Sequence, residues 1–166
     1  MMYGELPLKG GADGLKALDL AKEKFPLLEA VLFGTGPRPN GLAKWIAYYR
    51  NPPQDFLVQN IYNSCSIYLC PSWLEGWALP PAEAMSCGCA LVSTDIGWVH
   101  DYAKQGQTAL LSEPRNYQAL VMNLLRLLED DSLRAEVAHN GYALVQQFTW
   151  EKSAGALEQK LMDVVA

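Results

Sequence analysis

Residues 66–93 read SIYLCPSWLEGWALPPAEAMSCGCALVS, which is the pattern of a strand, a helix and a second strand. The apolar runs Ser66–Cys70 and Ala90–Ser93 do not alternate with polar residues, so they predict strands buried on both faces. Between them, two prolines begin a predicted helix over Pro80–Cys87, and Gly88 ends it. Two strands joined by a helix favour a parallel βαβ unit.

The same alternation of strands and helices continues on both sides of this unit. Further apolar runs predict strands at Met1–Tyr3, Ala30–Phe33, Trp45–Tyr49 and Ala109–Leu111. Helical spacing of apolar residues predicts helices at Gly11–Lys24, Asp55–Asn63, Tyr117–Glu129 and Ser132–Gln147, and from Trp150 to the end. The sequence therefore predicts an α/β fold with a doubly wound, Rossmann-like parallel sheet in three layers, C-terminal helices and one domain over residues 1–166.

The charge balance narrows the class of ligand. The formal net charge is −5, whereas proteins that bind nucleic acid carry a basic face. We therefore expect no nucleic-acid partner. A phosphorylated small molecule is compatible with this charge, because a phosphate needs only a nest of N–H groups and one or two cations.

Cysteine and histidine spacing predicts neither a metal site nor a disulfide. No two cysteines form a CxxC pair and neither histidine lies at ligand-like spacing from them; these residues are Cys65, Cys70, Cys87, Cys89, His100 and His139. The cysteines lie in or beside apolar runs, so we expect small buried side chains that stay reduced in a cytoplasmic protein. The sequence has no recognisable signal peptide and no apolar run of membrane-spanning length.

Two glutamates mark the candidate site, because ligands of such folds bind outside the carboxyl ends of the strands. Glu75 lies in the loop after Ser66–Cys70 and Glu83 in the first turn of the next helix, so we expect both to face one crevice. Carboxylates accept vicinal hydroxyls: Glu83 suits a ribose and Glu75 a second sugar. Gly76 allows close backbone approach, and the N–H groups of residues 76–79, before a helix N-terminus, suit a phosphate.

Both glutamates also have ordinary interpretations. Glu83 could be a helix N3 glutamate favoured by the macrodipole, although the capping box would then need Ser or Thr where Pro80 stands. Glu75 could be a solvated loop acid, although Trp73, Leu74 and Trp77 surround it in the sequence.

Residues 71–85, PSWLEGWALPPAEAM, resemble the E-x7-E signature of the group 1 (family 4) retaining glycosyltransferases, in the form PS-x-x-EG-x-x-LP-x-x-EAM. The following SCGCALVS resembles the family's A-x-G-x-P-V-V-x-S continuation. Other pieces fall in the family's order: Lys9-Gly10, Gly34-Thr35-Gly36-Pro37 and Ile61-Tyr62. The resemblance covers essentially the whole chain.

The resemblance implies a role for each matching residue. Glu83 would bind the ribose of a nucleotide-diphospho-sugar, which is the donor substrate, with no further cofactor and no metal. Glu75 would hold the transferred sugar, and Lys9 would neutralise the diphosphate leaving group. The remaining contacts would come from the backbone of Gly76, Trp77, Ala78 and Leu79 around sugar and phosphate, and from Gly34, Gly36 and Arg50 around the base.

The resemblance also implies a missing partner. Enzymes of this family have two Rossmann-like lobes, and this chain matches only the C-terminal, donor-binding one. We therefore expect an N-terminal acceptor lobe elsewhere, an inactive isolated lobe, and a full-length protein that is cytoplasmic or peripheral to a membrane. The last helix crosses to the other lobe in the family, so Met162, Val164 and Val165 would expose apolar surface and favour weak self-association.

Two departures from the family keep a second function open. Gly4 stands where the family has a phosphate-binding arginine, and His100 stands where it has a glutamate. A non-catalytic module that senses a nucleotide or sugar phosphate is therefore the alternative. An epimerase of the same architecture would lack the E-x7-E pattern. A nicotinamide dehydrogenase would need a third glycine where Pro39 stands.

Overall fold

A computed structural model of the chain describes residues 1–165, without the side chains of Trp98 and Val165. The strands are β1 Ala30–Gly34, β2 Ile46–Arg50, β3 Ile67–Cys70, β4 Ala90–Thr94 and β5 Ala109–Ser112. The helices are α1 Gly11–Lys24, α2 Gln54–Phe56, α3 Leu79–Ser86, α4 Tyr117–Glu129, α5 Asp131–Val145 and α6 Trp150–Val165. Within two residues, the predicted strands from residue 30 onward and most of the predicted helices are confirmed.

All pairings between these strands are parallel, as predicted for βαβ units. β1 pairs with β2, with Ala30 opposite Ile46, and β4 lies between β3 and β5. The predicted strand Met1–Tyr3 forms only an isolated parallel bridge, from Met2 to Phe33. This short segment extends the β1 side, because the Tyr3 N–H donates to the Phe33 carbonyl oxygen at 2.7 Å.

Helices cover both faces of the sheet layer, which confirms the three-layer, Rossmann-like architecture. Successive strand residues point to opposite faces. Leu69 of β3 and Val92 of β4 pack in a core with α1 and α4. Their neighbours Tyr68 and Leu91 pack in a second core with α3. The apolar, non-alternating strands are therefore buried on both sides.

The helix predicted over Asp55–Asn63 is broken into three short segments. After α2, a π-helical turn covers Leu57–Ile61 and a 3₁₀ turn covers Tyr62–Ser64. Ile61 and Tyr62 are consecutive, yet both are buried, and irregular turns let neighbouring positions point into one core. Local periodicity could not predict this, because the irregularity depends on the core that receives Tyr62.

Helix α6 extends away from both cores. Its described side chains are all exposed, including Met162 and Val164, while the Val165 side chain lies outside the described part. The expected apolar surface is therefore present. Within residues 1–165, none of the helices combines the length and the apolar character that a membrane crossing requires.

Candidate functional site

Two adjoining cavities open beside the carboxyl ends of β1 and β3. The Glu75 cavity, about 310 Å³, is lined by Glu75 and residues 76–81. The Glu83 cavity, about 690 Å³, is lined by Glu83 and residues 33–37. The two cavities share Met2, Lys9, Leu79 and Pro80. The predicted single crevice is therefore a pair of cavities with a common wall, and Lys9 belongs to that wall.

Lys9 and Glu75 form an ion pair in the first cavity. Lys9 Nζ donates to Glu75 Oε1 at 2.8 Å and to Oε2 at 3.0 Å. The Ser72 hydroxyl also donates to Oε1, at 2.9 Å. The Glu75 side chain is only 15% exposed and that of Lys9 28%. Glu75 is therefore a positioned carboxylate, and the interpretation as a solvated loop acid is wrong.

Gly10 brings Lys9 to this position. It has a φ of 61°, which favours glycine, and a Cβ there would lie 1.8 Å from the Pro71 carbonyl oxygen. The segment after the first bridge can thus run directly against the end of β3. The Trp73 N–H donates to the Leu8 carbonyl at 2.7 Å, which fixes the β3–α3 loop (residues 71–78) beside Lys9.

Glu83 lies one turn inside α3 and faces the second cavity. Helix α3 begins at Leu79 with Ala78 as its N-cap, so position N3 is Pro81 and the N3 interpretation of Glu83 is wrong. Its carboxylate accepts from Gln54 Nε2 at 3.1 Å and from the Tyr62 hydroxyl at 3.0 Å. Burial and the neighbouring carboxylate raise the pKa of Tyr62 well above its ordinary value, so this hydroxyl stays protonated and keeps donating.

The β3–α3 loop offers backbone donors to the first cavity. Within the described residues, no N–H of Gly76, Trp77, Ala78 or Leu79 donates to a protein acceptor, and all four residues line the cavity. The N-cap provides no side-chain cap, and the prolines that follow carry no N–H. These N–H groups precede the positive end of α3, which suits an anionic ligand.

The second cavity agrees with the sequence prediction at two of three positions. Gly34 and Gly36 line it, whereas Arg50 is exposed, lines neither cavity, and donates from Nε to the Thr35 carbonyl at 3.4 Å. The loop after β2 contributes Asn51 and Pro52 instead. Arg50 ends β2 opposite Gly34, and its side chain contacts the Thr35 carbonyl and does not line the cavity.

Three side chains that were not among the predicted site residues contact the glutamates, whereas His100 lies outside both cavities. Ser72, Gln54 and Tyr62 bind the two glutamates. Ser72 and Tyr62 lie in segments that resemble the family, although the resemblance assigned them no role, and no local pattern marks Gln54. Gln54 and Tyr62 lie 29 and 21 residues before their partner Glu83, so only the fold brings them together. His100 pairs with Asp95 at 2.9 Å, is largely exposed, and lines neither cavity.

The cysteines and acids form no evident metal centre. Within the part of the chain that the structure describes, no three His, Cys, Asp or Glu side chains are grouped as metal ligands. All four cysteines carry free thiols, and Cys70 and Cys89 are buried. Burial raises the pKa of Cys89 to about 12, so its thiol is protonated at neutral pH.

Comparison with known proteins identifies the family. The sequence model of the family described as glycosyl transferases group 1 matches residues 1–144. This chain belongs to the group 1 glycosyl transferases. The match includes Lys9, both glutamates and the β3–α3 loop, so the family resemblance in the sequence is confirmed.

This chain is similar to part of the length of two bacterial relatives. The O-antigen chain mannosyltransferase B of Escherichia coli is 33% identical over 107 residues, which are 64% of this chain and 27% of that protein. A D-inositol 3-phosphate glycosyltransferase of Acidothermus cellulolyticus is 26% identical over 97% of this chain and 33% of its own length. The chain therefore spans about a third or less of these relatives.

Solved structures support the same fold. The C-terminal domain of a glycosyl transferase group 1 family protein (LpcC) from Francisella tularensis is 28% identical, with a TM-score of 0.77, over 88% of this chain and 83% of that domain. Anabaena Alr3699/HepE, solved in complex with UDP-glucose, has a TM-score of 0.83 at 20% identity, over 98% of this chain and 48% of its own. The second likeness concerns the fold alone.

Proposed function

We propose that this chain is the donor-binding lobe of a retaining glycosyltransferase and binds a nucleotide-diphospho-sugar. The observation that carries the proposal is the Lys9–Glu75 ion pair, which lies in the wall between two cavities beside a loop with free N–H groups. A cation, backbone donors and two hydroxyl-accepting carboxylates together match the parts of such a donor. The similarity to the mannosyltransferase of Escherichia coli, 33% identical over 64% of this chain, supports a sugar-transferring enzyme.

The sizes of the cavities suggest how the donor lies. The Glu83 cavity is the larger, so we assign it the nucleoside, with the ribose hydroxyls on Glu83. The diphosphate then lies at Lys9 and at the N–H groups of residues 76–79. The Glu75 cavity receives the sugar, whose hydroxyls donate to Glu75. This assignment places the scissile bond next to Lys9, which lines both cavities.

The proposed chemistry needs little from this lobe beyond positioning and charge. The bond between the sugar anomeric carbon and the diphosphate oxygen breaks, and the leaving nucleoside diphosphate keeps the electron pair. Lys9 stabilises the negative charge that develops on it. The acceptor hydroxyl oxygen forms the new glycosidic bond, and its proton passes to the leaving diphosphate oxygen. Retention follows from the family resemblance, and the anomeric configuration of the product, measured by NMR, tests it.

We propose that an N-terminal acceptor lobe faces the two cavities and that the isolated lobe binds donor without turning it over. The share of the curated relatives that the chain matches, about a third or less, supports a larger enzyme. The acceptor and the sugar transferred stay undefined by these side chains.

One observation favours the non-catalytic alternative. Among the described residues, Lys9 is the sole cationic side chain lining either cavity, and Gly4 stands where the family has arginine. A sensing module would bind the same ligands without transferring the sugar. An acceptor lobe encoded next to this domain, together with release of nucleoside diphosphate when both are present, supports the transferase; the absence of such a lobe supports the module.

A ligand screen tests the binding proposal directly. UDP-glucose, GDP-mannose and ADP-glucose are compared by thermal shift, and ligands that shift the melting temperature are titrated by calorimetry. A ligand at one hundred times its dissociation constant stabilises the fold by about 2.7 kcal/mol, which such an assay detects. If none of these sugars or their nucleoside diphosphates binds the folded protein, the proposal is wrong.

Matched variants connect binding to the site. Glu83→Gln and Lys9→Met should each weaken binding roughly tenfold to a hundredfold, because a charge-assisted hydrogen bond contributes about 1.5–3 kcal/mol. The exposed residues Glu136 and Lys44 provide the controls, and Glu136→Gln and Lys44→Met should leave binding unchanged. Equal losses in the test and control variants would mean that the ligand binds elsewhere.

A further inference from the structure

Three side chains that line neither of the two cavities contact Trp77 or Ala78 of the β3–α3 loop. The Trp77 indole N–H donates to Asp101 Oδ2 at 2.9 Å. The Tyr102 hydroxyl donates to the Ala78 carbonyl oxygen at 3.2 Å, and its ring meets that of Trp77 at 5.0 Å between centroids. The centroid of the Phe148 ring lies 5.3 Å from the centroid of the Trp77 ring. All three side chains therefore contact the side chain of Trp77.

The supports differ in how firmly the fold holds them. Tyr102 is 1% exposed and belongs to the core that contains α3. Phe148 is 43% exposed and follows α5, where its N–H donates to the Val145 carbonyl at 3.1 Å. Two residues later α6 begins, and the described side chains of α6 are exposed throughout. Phe148 is therefore the adjustable support, attached to the segment that leads into a helix outside both cores.

We infer that Phe148 is a positioning residue for the donor site, which it braces through Trp77. Trp77 lines the Glu75 cavity, and its backbone N–H is among the free donors of the loop. A displacement of residues 146–149 removes one of the two rings that contact Trp77, and the loop then samples more conformations. The inference rests on the proposed function, because the braced loop is the one assigned to the sugar and diphosphate.

The expected effects follow from the size of an aromatic contact. A ring pair of this geometry changes an equilibrium by roughly threefold to tenfold beyond the area that it buries. Phe148→Ala should therefore raise hydrogen exchange of the Trp77 indole N–H, which the bond to Asp101 protects, by about that factor. Phe148→Tyr keeps the ring and should restore the wild-type rates. Tyr142→Ala removes an equally exposed aromatic side chain from α5, with no aromatic pairing in the described structure, and should leave the loop unchanged.

Two readouts need no ligand, which separates this inference from the proposed function. Hydrogen exchange of the Trp77 indole N–H reports the brace itself, and ¹⁹F NMR of 5-fluorotryptophan-labelled protein reports the surroundings of Trp77, whose signal is assigned with Trp77→Phe. We expect Phe148→Ala to move the Trp77 signal and to weaken binding of UDP-glucose or GDP-mannose by the same factor as it accelerates exchange. Unchanged indole exchange and an unchanged Trp77 signal in Phe148→Ala would overturn the brace. A wild-type protein that binds neither sugar nucleotide while the exchange rates respond would instead remove the proposed function.

Discussion

Glu75→Gln is the change that best separates the roles of the ion pair. Lys9 Nζ donates to both Glu75 carboxylate oxygens, at 2.8 and 3.0 Å. A diphosphate that binds Lys9 must therefore compete with Glu75. The amide of glutamine keeps the shape and an acceptor for Ser72 but carries no charge, so the variant removes the competition and leaves the loop in place.

The magnitude follows from the geometry of the pair. Two unit charges about 3 Å apart at an effective dielectric constant of 20 attract by about 6 kcal/mol before desolvation. Both side chains are partly exposed, and their loss of hydration offsets most of this attraction. A net value of about 1–2 kcal/mol corresponds to roughly a fivefold to thirtyfold change in affinity. We expect the nucleoside diphosphate to bind Glu75→Gln more tightly by this factor.

The intact donor should respond differently from the product. Its sugar hydroxyls donate to the Glu75 carboxylate, and the variant weakens these bonds by about 1 kcal/mol. The ratio of the two dissociation constants, nucleoside diphosphate over nucleotide sugar, should therefore fall in Glu75→Gln. Calorimetric titration of both ligands measures this ratio, with Glu136→Gln as the control and the melting temperature as a check on folding. If the variant weakens both ligands by the same factor, the competition for Lys9 does not exist.

Further predictions concern the fold around the site. Gly10→Ala should lower the free energy of unfolding by more than about 2 kcal/mol, since its Cβ would meet the Pro71 carbonyl oxygen. The control is Gly41→Ala, which is also at positive φ but in open space and should cost about 1 kcal/mol. Equal losses of the two variants in denaturant titrations would contradict the close approach at Gly10. Because burial raises the pKa of Cys89, the unfolded chain loses this thiol proton near pH 9, before the folded chain does. The free energy of unfolding should therefore fall between pH 9 and about pH 12, and Cys89→Ala should reduce that fall by an amount on the order of 4 kcal/mol. A variant with the wild-type pH profile would exclude the thiol as the cause. Leu161 on α6 is 60% exposed. We expect the domain to self-associate weakly in sedimentation experiments and Leu161→Glu to abolish that association; an unchanged oligomeric state in the variant would exclude this helix face.

The fold class could be predicted from the sequence because the strands are continuous apolar runs, which indicate burial on both faces. β4 is buried at all five positions, and such a run is readable without knowing its neighbours. The broken helix over residues 54–64 was not readable, because its π-helical turn depends on the core that surrounds Ile61 and Tyr62. Local periodicity describes one helix face, whereas two consecutive buried residues require tertiary contacts.

The candidate site shows the same division. Glu75 and Lys9 lie in loops beside predicted elements and Glu83 lies in the predicted helix that follows a strand, so their general location followed from topology. Their hydrogen-bond partners did not, since Ser72 is a small polar residue and Gln54 is remote from Glu83 in the chain. Arg50 shows that proximity to a strand end does not by itself place a side chain in a cavity, since its guanidinium donates to the Thr35 carbonyl and lines neither cavity.

The exposure of α6 has a thermodynamic consequence. A helix of 16 residues whose described side chains are all exposed gains little from packing, and helices of this length are marginal in water on their own. Its melting should therefore be gradual and uncoupled from the cooperative unfolding of the two cores. Heat-monitored circular dichroism at 222 nm, which counts all helices, should begin to fall at lower temperature than the calorimetric transition, and a partner that orders α6 should bring the two curves together.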